Sequence, residues 1–121
     1  MKEIGKGKDL LSKLSGENSI LDASVKRISI FDEDDALKIE LVLNMRSSSE
    51  YGSILICFED VIEYGFYYTQ EHIFYNIEQY KFFYNPKSGY YISLDPIDEV
   101  NELSEEDQDF ILSKDVIAFA L

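Results

Sequence analysis

The chain has a single cysteine, Cys57, among its 121 residues. One cysteine excludes an internal disulfide and a cysteine-built zinc site, and it fits a reducing compartment. Histidine is equally scarce. His72 stands alone, which leaves a serine nucleophile without its usual base. No run approaches the roughly 18 consecutive apolar residues of a membrane span. The charged start, residues 1–8, is followed by no long apolar segment of the secretory kind. The expected location is the cytoplasm, with no membrane partner.

Positive charge is the next shortage. Eleven Lys and Arg face 24 Asp and Glu, for a net charge of −13. Direct binding to nucleic acid is not expected, because phosphate recognition needs concentrated Lys and Arg. Anionic membrane surfaces are disfavoured for the same reason. The imbalance is uneven along the chain. Residues 1–28 carry a net +2 and residues 29–121 a net −15. The acidity therefore belongs to the body of the protein, where it would steer a basic partner inward.

Turning to what is present, 45% of the residues are hydrophobic, enough for a core in one domain over residues 1–121. Residues 37–58 are the organising stretch. Leu37, Ile39, Leu41, Leu43 and Met45 are apolar at every second position, the period of a half-buried strand. Ile54, Leu55, Ile56, Cys57 and Phe58 are apolar on both parities, as in a strand covered on both faces. These two read as the central pair of an antiparallel sheet.

Around that pair, Leu10, Leu11 and Leu14 define a short amphipathic helix over 8–15, after a mobile start at 1–7. Strands are expected at 23–31, 61–69, 73–78, 80–84 and 90–94, and at the end over 116–121. The shift of parity between Val25 and Ile28 marks a bulge. Asn85-Pro86-Lys87-Ser88-Gly89 is a hairpin turn by composition. Ser104, followed by Glu105, Glu106 and Asp107, has the pattern of a helix N-terminus. The expected fold is α+β and mainly β. It is one strongly curved antiparallel sheet of six or seven strands, a half-barrel or sandwich, with a short N-terminal helix and a short helix before the last strand.

No catalytic or cofactor motif emerges. Cys57 with His72 would make a thiol nucleophile and base, but Cys57 lies in the most apolar strand, where a cysteine is a small core residue. Asp32-Glu33-Asp34-Asp35 suggests calcium, yet Leu37 and Leu43 stand where the EF-hand loop needs Gly and Glu. A solvated turn is the better reading, and no metal or cofactor is expected.

Two features are candidates for recognition, set against a solvated face for the first, which is the leading reading, and a second layer of core under the N-terminal helix for the second. Residues 95–115 hold nine acids and one Lys. Helix capping accounts for Glu105 and Glu106, but not for Asp98, Glu99 and Glu102. Residues 64–91 hold 12 of the 17 aromatics. Tyr67-Tyr68, Phe74-Tyr75 and Tyr90-Tyr91 are adjacent pairs, so one member of each should face outward. An outward Tyr, here assigned to Tyr68 and Tyr75, is a rigid anchor for a protein partner. The candidate partner-binding set is therefore Asp98, Glu99, Glu102, Glu105, Glu106, Tyr68 and Tyr75.

In size, acidity and style the whole chain resembles the immunity proteins of bacterial toxin–immunity systems, such as contact-dependent growth inhibition and related polymorphic toxins. The resemblance is carried by Ile-Leu-Ile-Cys-Phe-Glu-Asp-Val at 54–61, Tyr-Ile-Ser-Leu-Asp-Pro at 91–96 and Ser-Glu-Glu-Asp at 104–107. It implies a non-enzymatic inhibitor that occludes a basic toxin domain, a nuclease in the leading case. It transfers no binding residue by position. The alternative is a small-molecule-binding or enzymatic half-barrel with an aromatic-lined concave face. A third reading is an adaptor that uses the sheet edge.

Overall fold

The computed structural model describes residues 1–72 and 75–121. One open antiparallel sheet of seven strands organises the chain. The elements are β1 (Lys2–Lys6), α1 (Gly7–Lys13), a 3₁₀ turn (Gly16–Asn18), β2 (Ser24–Glu33), β3 (Ala36–Asn44), β4 (Ser53–Gly65), β5 (Lys81–Asn85), β6 (Gly89–Asp95) and β7 (Gln108–Ala120). Strand order is β2-β3-β4-β7-β6-β5, and β1 pairs with the C-terminal part of β7.

The expected central pair forms as read. Ile39, Leu41 and Leu43 pair with Phe58, Ile56 and Ile54, and all six side chains are fully buried. Period-two alternation puts them on one face, where Val116 and Ala118 of β7 join them. Leu10 and Leu14 from the region of α1 cap this face together with Ile20 and Ala23. The helix-side half of the sequence reading therefore holds. The bulge near Val25 is also present, as a register shift between Val25 and Arg27. At the β5–β6 hairpin, Asn85 Oδ1 accepts from the Lys87 N–H at 2.8 Å, and Ser88 N–H bonds the Asn85 carbonyl. Gly89 sits at φ 122, and any side chain there would run into the Ser113 carbonyl of β7.

Four expectations are corrected. The loose start at 1–7 is instead strand β1, held by β7. Among the described residues, no helix lies between β6 and the last strand. Ser104 and Asp107 close a turn through Asp107 N–H to the Ser104 carbonyl at 3.2 Å, and β7 begins directly at Gln108. The Ser104 hydroxyl accepts from Glu106 N–H, a serine turn in place of an N-cap. The reason is that Asp107 is drawn into the sheet, as described below, so its backbone cannot continue into a helix.

The third correction concerns residues 53–65, where two expected strands are one. β4 runs through both, bent by a register shift between Val61 and Glu63 with Asp60 at φ 52. Residues 66–69 then leave the sheet. The fourth concerns 73–78, part of which lies outside the described residues. Its described part makes a short return pairing. Val25 N–H bonds the Tyr75 carbonyl, and Asp22 N–H and Ala23 carbonyl bond Ile77. That segment leads into edge strand β5 yet touches the start of edge strand β2, so the two ends of the sheet are brought toward each other.

Candidate functional site

The far side of β5, β6 and the first half of β7 is where the candidate residues collect. Tyr90, Ile92 and Leu94 join the helix-covered core, so alternation turns Tyr91 and Ser93 to the opposite face. Their cross-strand partners Phe83, Lys81, Leu112 and Phe110 go with them. Residues 96–107 fold back over this second face. That cover explains a failed expectation. Tyr90 and Tyr91 are both buried, because both faces of the sheet are covered here. Tyr67 and Tyr68 are both exposed, because 66–69 is not a strand.

The covering loop is pinned by a buried polar knot. Lys81 is 2% exposed and Asp107 5%. Lys81 Nζ donates to Asp107 Oδ1 and Oδ2 at 3.1 and 2.9 Å, and to the Glu102 carbonyl at 2.9 Å. It also lies 3.2 Å from Asp98 Oδ1. Asp107 in turn accepts from the Tyr91 hydroxyl at 2.7 Å and from Ile97 N–H at 2.9 Å. Among the described residues, no buried side-chain nitrogen or oxygen lacks a partner. Burial alone would push the Asp107 carboxyl up, but the Ile97 N–H, Lys81 and Tyr91 outweigh it and hold the group below the ordinary aspartate range. For Lys81, burial opposes the charge, and hydrogen bonds to Asp107 and Asp98 overcome it, so its affinity for the proton rises. Burial first, and then the bond to Asp107, raises the Tyr91 hydroxyl.

The sequence-derived acids fall into two groups. Asp98 is not a free surface charge, since it serves Lys81 and caps Val100 N–H at 3.1 Å. Glu99, Glu102, Glu105 and Glu106 are exposed on the same loop, among the exposed apolar residues Ile97, Val100 and Leu103. Tyr68 and Tyr75 are exposed at 60% and 52%. Tyr75 stands at the start of β2 and so belongs to a different part of the surface from the acid loop. Between the loop and the sheet lies an open cleft of about 380 Å³, lined by Glu63, Tyr91, Leu103, Ser104, Glu105, Phe110 and Leu112. Two carboxylates beside two aromatic rings suit a cation.

A second cluster was not legible in the sequence. His72 Nε2 lies 3.0 Å from Asp109 Oδ2, and Asp109 Oδ1 accepts from Tyr67 N–H at 2.9 Å. Asp109 is 1% exposed and adopts φ 50 inside β7. Asp95, at the end of β6, brings a carboxylate oxygen within 4.8 Å of both. Three separate segments build this cluster, and 37 residues separate His72 from Asp109. In the sequence Asp109 is one of nine acids between 95 and 115, and nothing sets it apart from the others.

The remaining candidates are structural. Cys57 is half-buried on the second face of β4, and its thiol is pushed up to about 12 by burial and then by the Glu40 carboxylate, 3.8 Å away. It is therefore a poor nucleophile, although it lies outside the main core where it was expected. Asp34 and Asp35, at φ 55 and 63, form the two-residue turn between β2 and β3. No helix is long and apolar enough to cross a membrane among the described residues. No family model, curated protein or solved structure matches the chain.

Proposed function

We propose that this chain is an inhibitory binding protein that uses its acidic loop, residues 97–106, to occlude a basic protein domain. The immunity-protein resemblance makes that partner a bacterial toxin domain, a nuclease in the leading case. One observation carries the reading. The loop is fixed to the sheet by the buried Lys81–Asp107–Tyr91 knot while its remaining acids and three apolar side chains face solvent. A loop held in place before binding loses little conformational freedom on docking. Its carboxylates meet cationic groups that would otherwise hold phosphates, and Ile97, Val100 and Leu103 supply apolar contact at the centre.

The test is to identify the protein that co-purifies from source cells and to measure association at several salt concentrations. A basic domain whose on-rate falls with salt supports the reading. A neutral or acidic partner, or an on-rate indifferent to salt, overturns it.

The cleft favours a second reading, a small-molecule site. Its volume of about 380 Å³ lies within the usual range for ligand pockets. Glu63 and Glu105 make a cationic ligand the natural occupant. Saturable binding of an arginine-like or aromatic amine, lost in Glu63→Gln, would favour this reading over the first.

A further inference from the structure

We propose that His72, Asp95 and Asp109 form a binding site for a divalent transition-metal ion of the zinc type. The three side chains come from the segment after β4, the end of β6 and the start of β7. Each offers one ligand atom, and all three atoms lie within 4.8 Å of one another. His72 Nε2 and Asp109 Oδ2, 3.0 Å apart, have a spacing that two ligands on one small ion can share. An imidazole with two carboxylates is a donor set for zinc and its neighbours, and the imidazole argues against magnesium or calcium.

A second, independent observation concerns charge. Asp109 is 1% exposed, and a carboxylate so deep needs a compensating positive group. Among the described residues no Lys or Arg lies within ion-pair distance of it, and His72 is its one possible cationic partner. The other buried acid, Asp107, by contrast has the permanent charge of Lys81. A divalent ion would neutralise Asp109 and Asp95 together, with His72 Nε2 as its nitrogen ligand. Tyr67 N–H already fixes Asp109 through Oδ1, so Oδ2 is oriented toward His72. Asp95 is exposed, so the site opens to solvent on that side and a water can complete the shell. The ion would tie the segment after β4 to the ends of β6 and β7. This site is separate from the acid loop and does not depend on the partner reading.

The experiment uses the full chain, stripped with chelator and titrated with Zn²⁺ by calorimetry and with Co²⁺ by visible absorption. One ion per chain is expected, with Co²⁺ bands of a nitrogen- and oxygen-ligated centre. Loss of an outer-shell partner alone weakens metal sites roughly 10–100-fold, so His72→Ala should weaken binding by about a hundredfold. Asp95→Asn, at an exposed position that leaves the Asp109–His72 contact intact, should do the same. Cys57→Ser should change nothing. Absence of stoichiometric binding overturns the proposal. So does unchanged affinity in both His72→Ala and Asp95→Asn, which would place the ions on the general acidic surface. Binding lost in Cys57→Ser would assign them to the thiol and equally overturn it.

Discussion

Lys81 and Asp107 are 26 residues apart in the chain and 2.9 Å apart in the fold, with both side chains out of water. Through this contact the first residue of edge strand β5 holds the end of the loop that covers the second face of the sheet. The ammonium also reaches the Glu102 carbonyl and Asp98, so one side chain fixes three points of the loop.

Lys81→Met should therefore be one of the most destabilising single substitutions. Removing one partner of a buried pair typically costs about 3–5 kcal/mol, because the other charge is left unpaired. The double variant Lys81→Met with Asp107→Leu should recover only part of that loss, because the Tyr91 hydroxyl and Ile97 N–H then lose their acceptor. Urea denaturation at pH 7 measures both. A loss below about 1 kcal/mol for Lys81→Met would show that water, and not the loop, surrounds the ammonium.

The same pair sets a pH window. Asp107 is held below the ordinary aspartate value of about 4, so its contribution is present above that pH and disappears as pH falls through the folded value. Lys81 is held above the ordinary lysine value of about 10.4, so its contribution is present below that pH and disappears as pH rises through the folded value. Denaturation midpoints followed from pH 7 to pH 3 should fall, and Asp107→Asn should flatten that acid limb. An equally steep limb in the variant would assign acid sensitivity to other carboxylates.

The core gives a sharper contrast. Ile39→Ala and Ile56→Ala remove fully buried side chains from the central pair and should each cost about 2–5 kcal/mol. Ile62→Ala, on the same long strand but 50% exposed at the bulge, should change stability by no more than about 0.5 kcal/mol. Comparable losses at Ile56 and Ile62 would mean that the bend in β4 is misplaced.

Cys57 should react slowly with thiol reagents at neutral pH, since the thiol is raised to about 12 and the thiolate is the reactive form. Glu40→Gln removes one of the two charges that raise it and should speed labelling. Rates measured across pH 7–10 in the two proteins decide this. An unchanged rate in Glu40→Gln would leave burial and the Glu59 carboxylate as the causes.

For the partner, Glu99, Glu102 and Glu105 are the acids to reverse, because Asp98 is committed to Lys81. The triple substitution to Lys should slow association with a basic partner and reduce its salt dependence. Tyr68→Ala or Tyr75→Ala should instead speed dissociation wherever that ring is an anchor. Association and dissociation rates by surface plasmon resonance separate the two effects. A triple variant with the parent's on-rate would remove the electrostatic basis of the proposal.

The sequence by itself determined the sheet centre, the first helix, the bulge near Val25 and the 85–89 turn. Each rests on local information. Alternation at Ile39, Leu41 and Leu43 fixes which face is buried, and Asn85, Pro86 and Gly89 carry turn preferences in their own backbones. Charge was also legible, because a sum needs no coordinates. Tertiary structure alone decided the region from 95 to 112. Ser104-Glu105-Glu106-Asp107 has good helix-start chemistry, but the buried Lys81 ammonium and the Tyr91 hydroxyl claim the Asp107 carboxylate, and a long-range charged hydrogen bond outweighs a local cap. The fate of the Tyr pairs was decided in the same way. Alternation says that neighbours face opposite sides, but it does not say whether each side is covered, and the loop over β6 buries Tyr91 as fully as the helix side buries Tyr90. The His72–Asp95–Asp109 cluster was the least legible. Its members are brought together by the crossing of three segments, and no periodicity along the chain encodes which distant residues will meet.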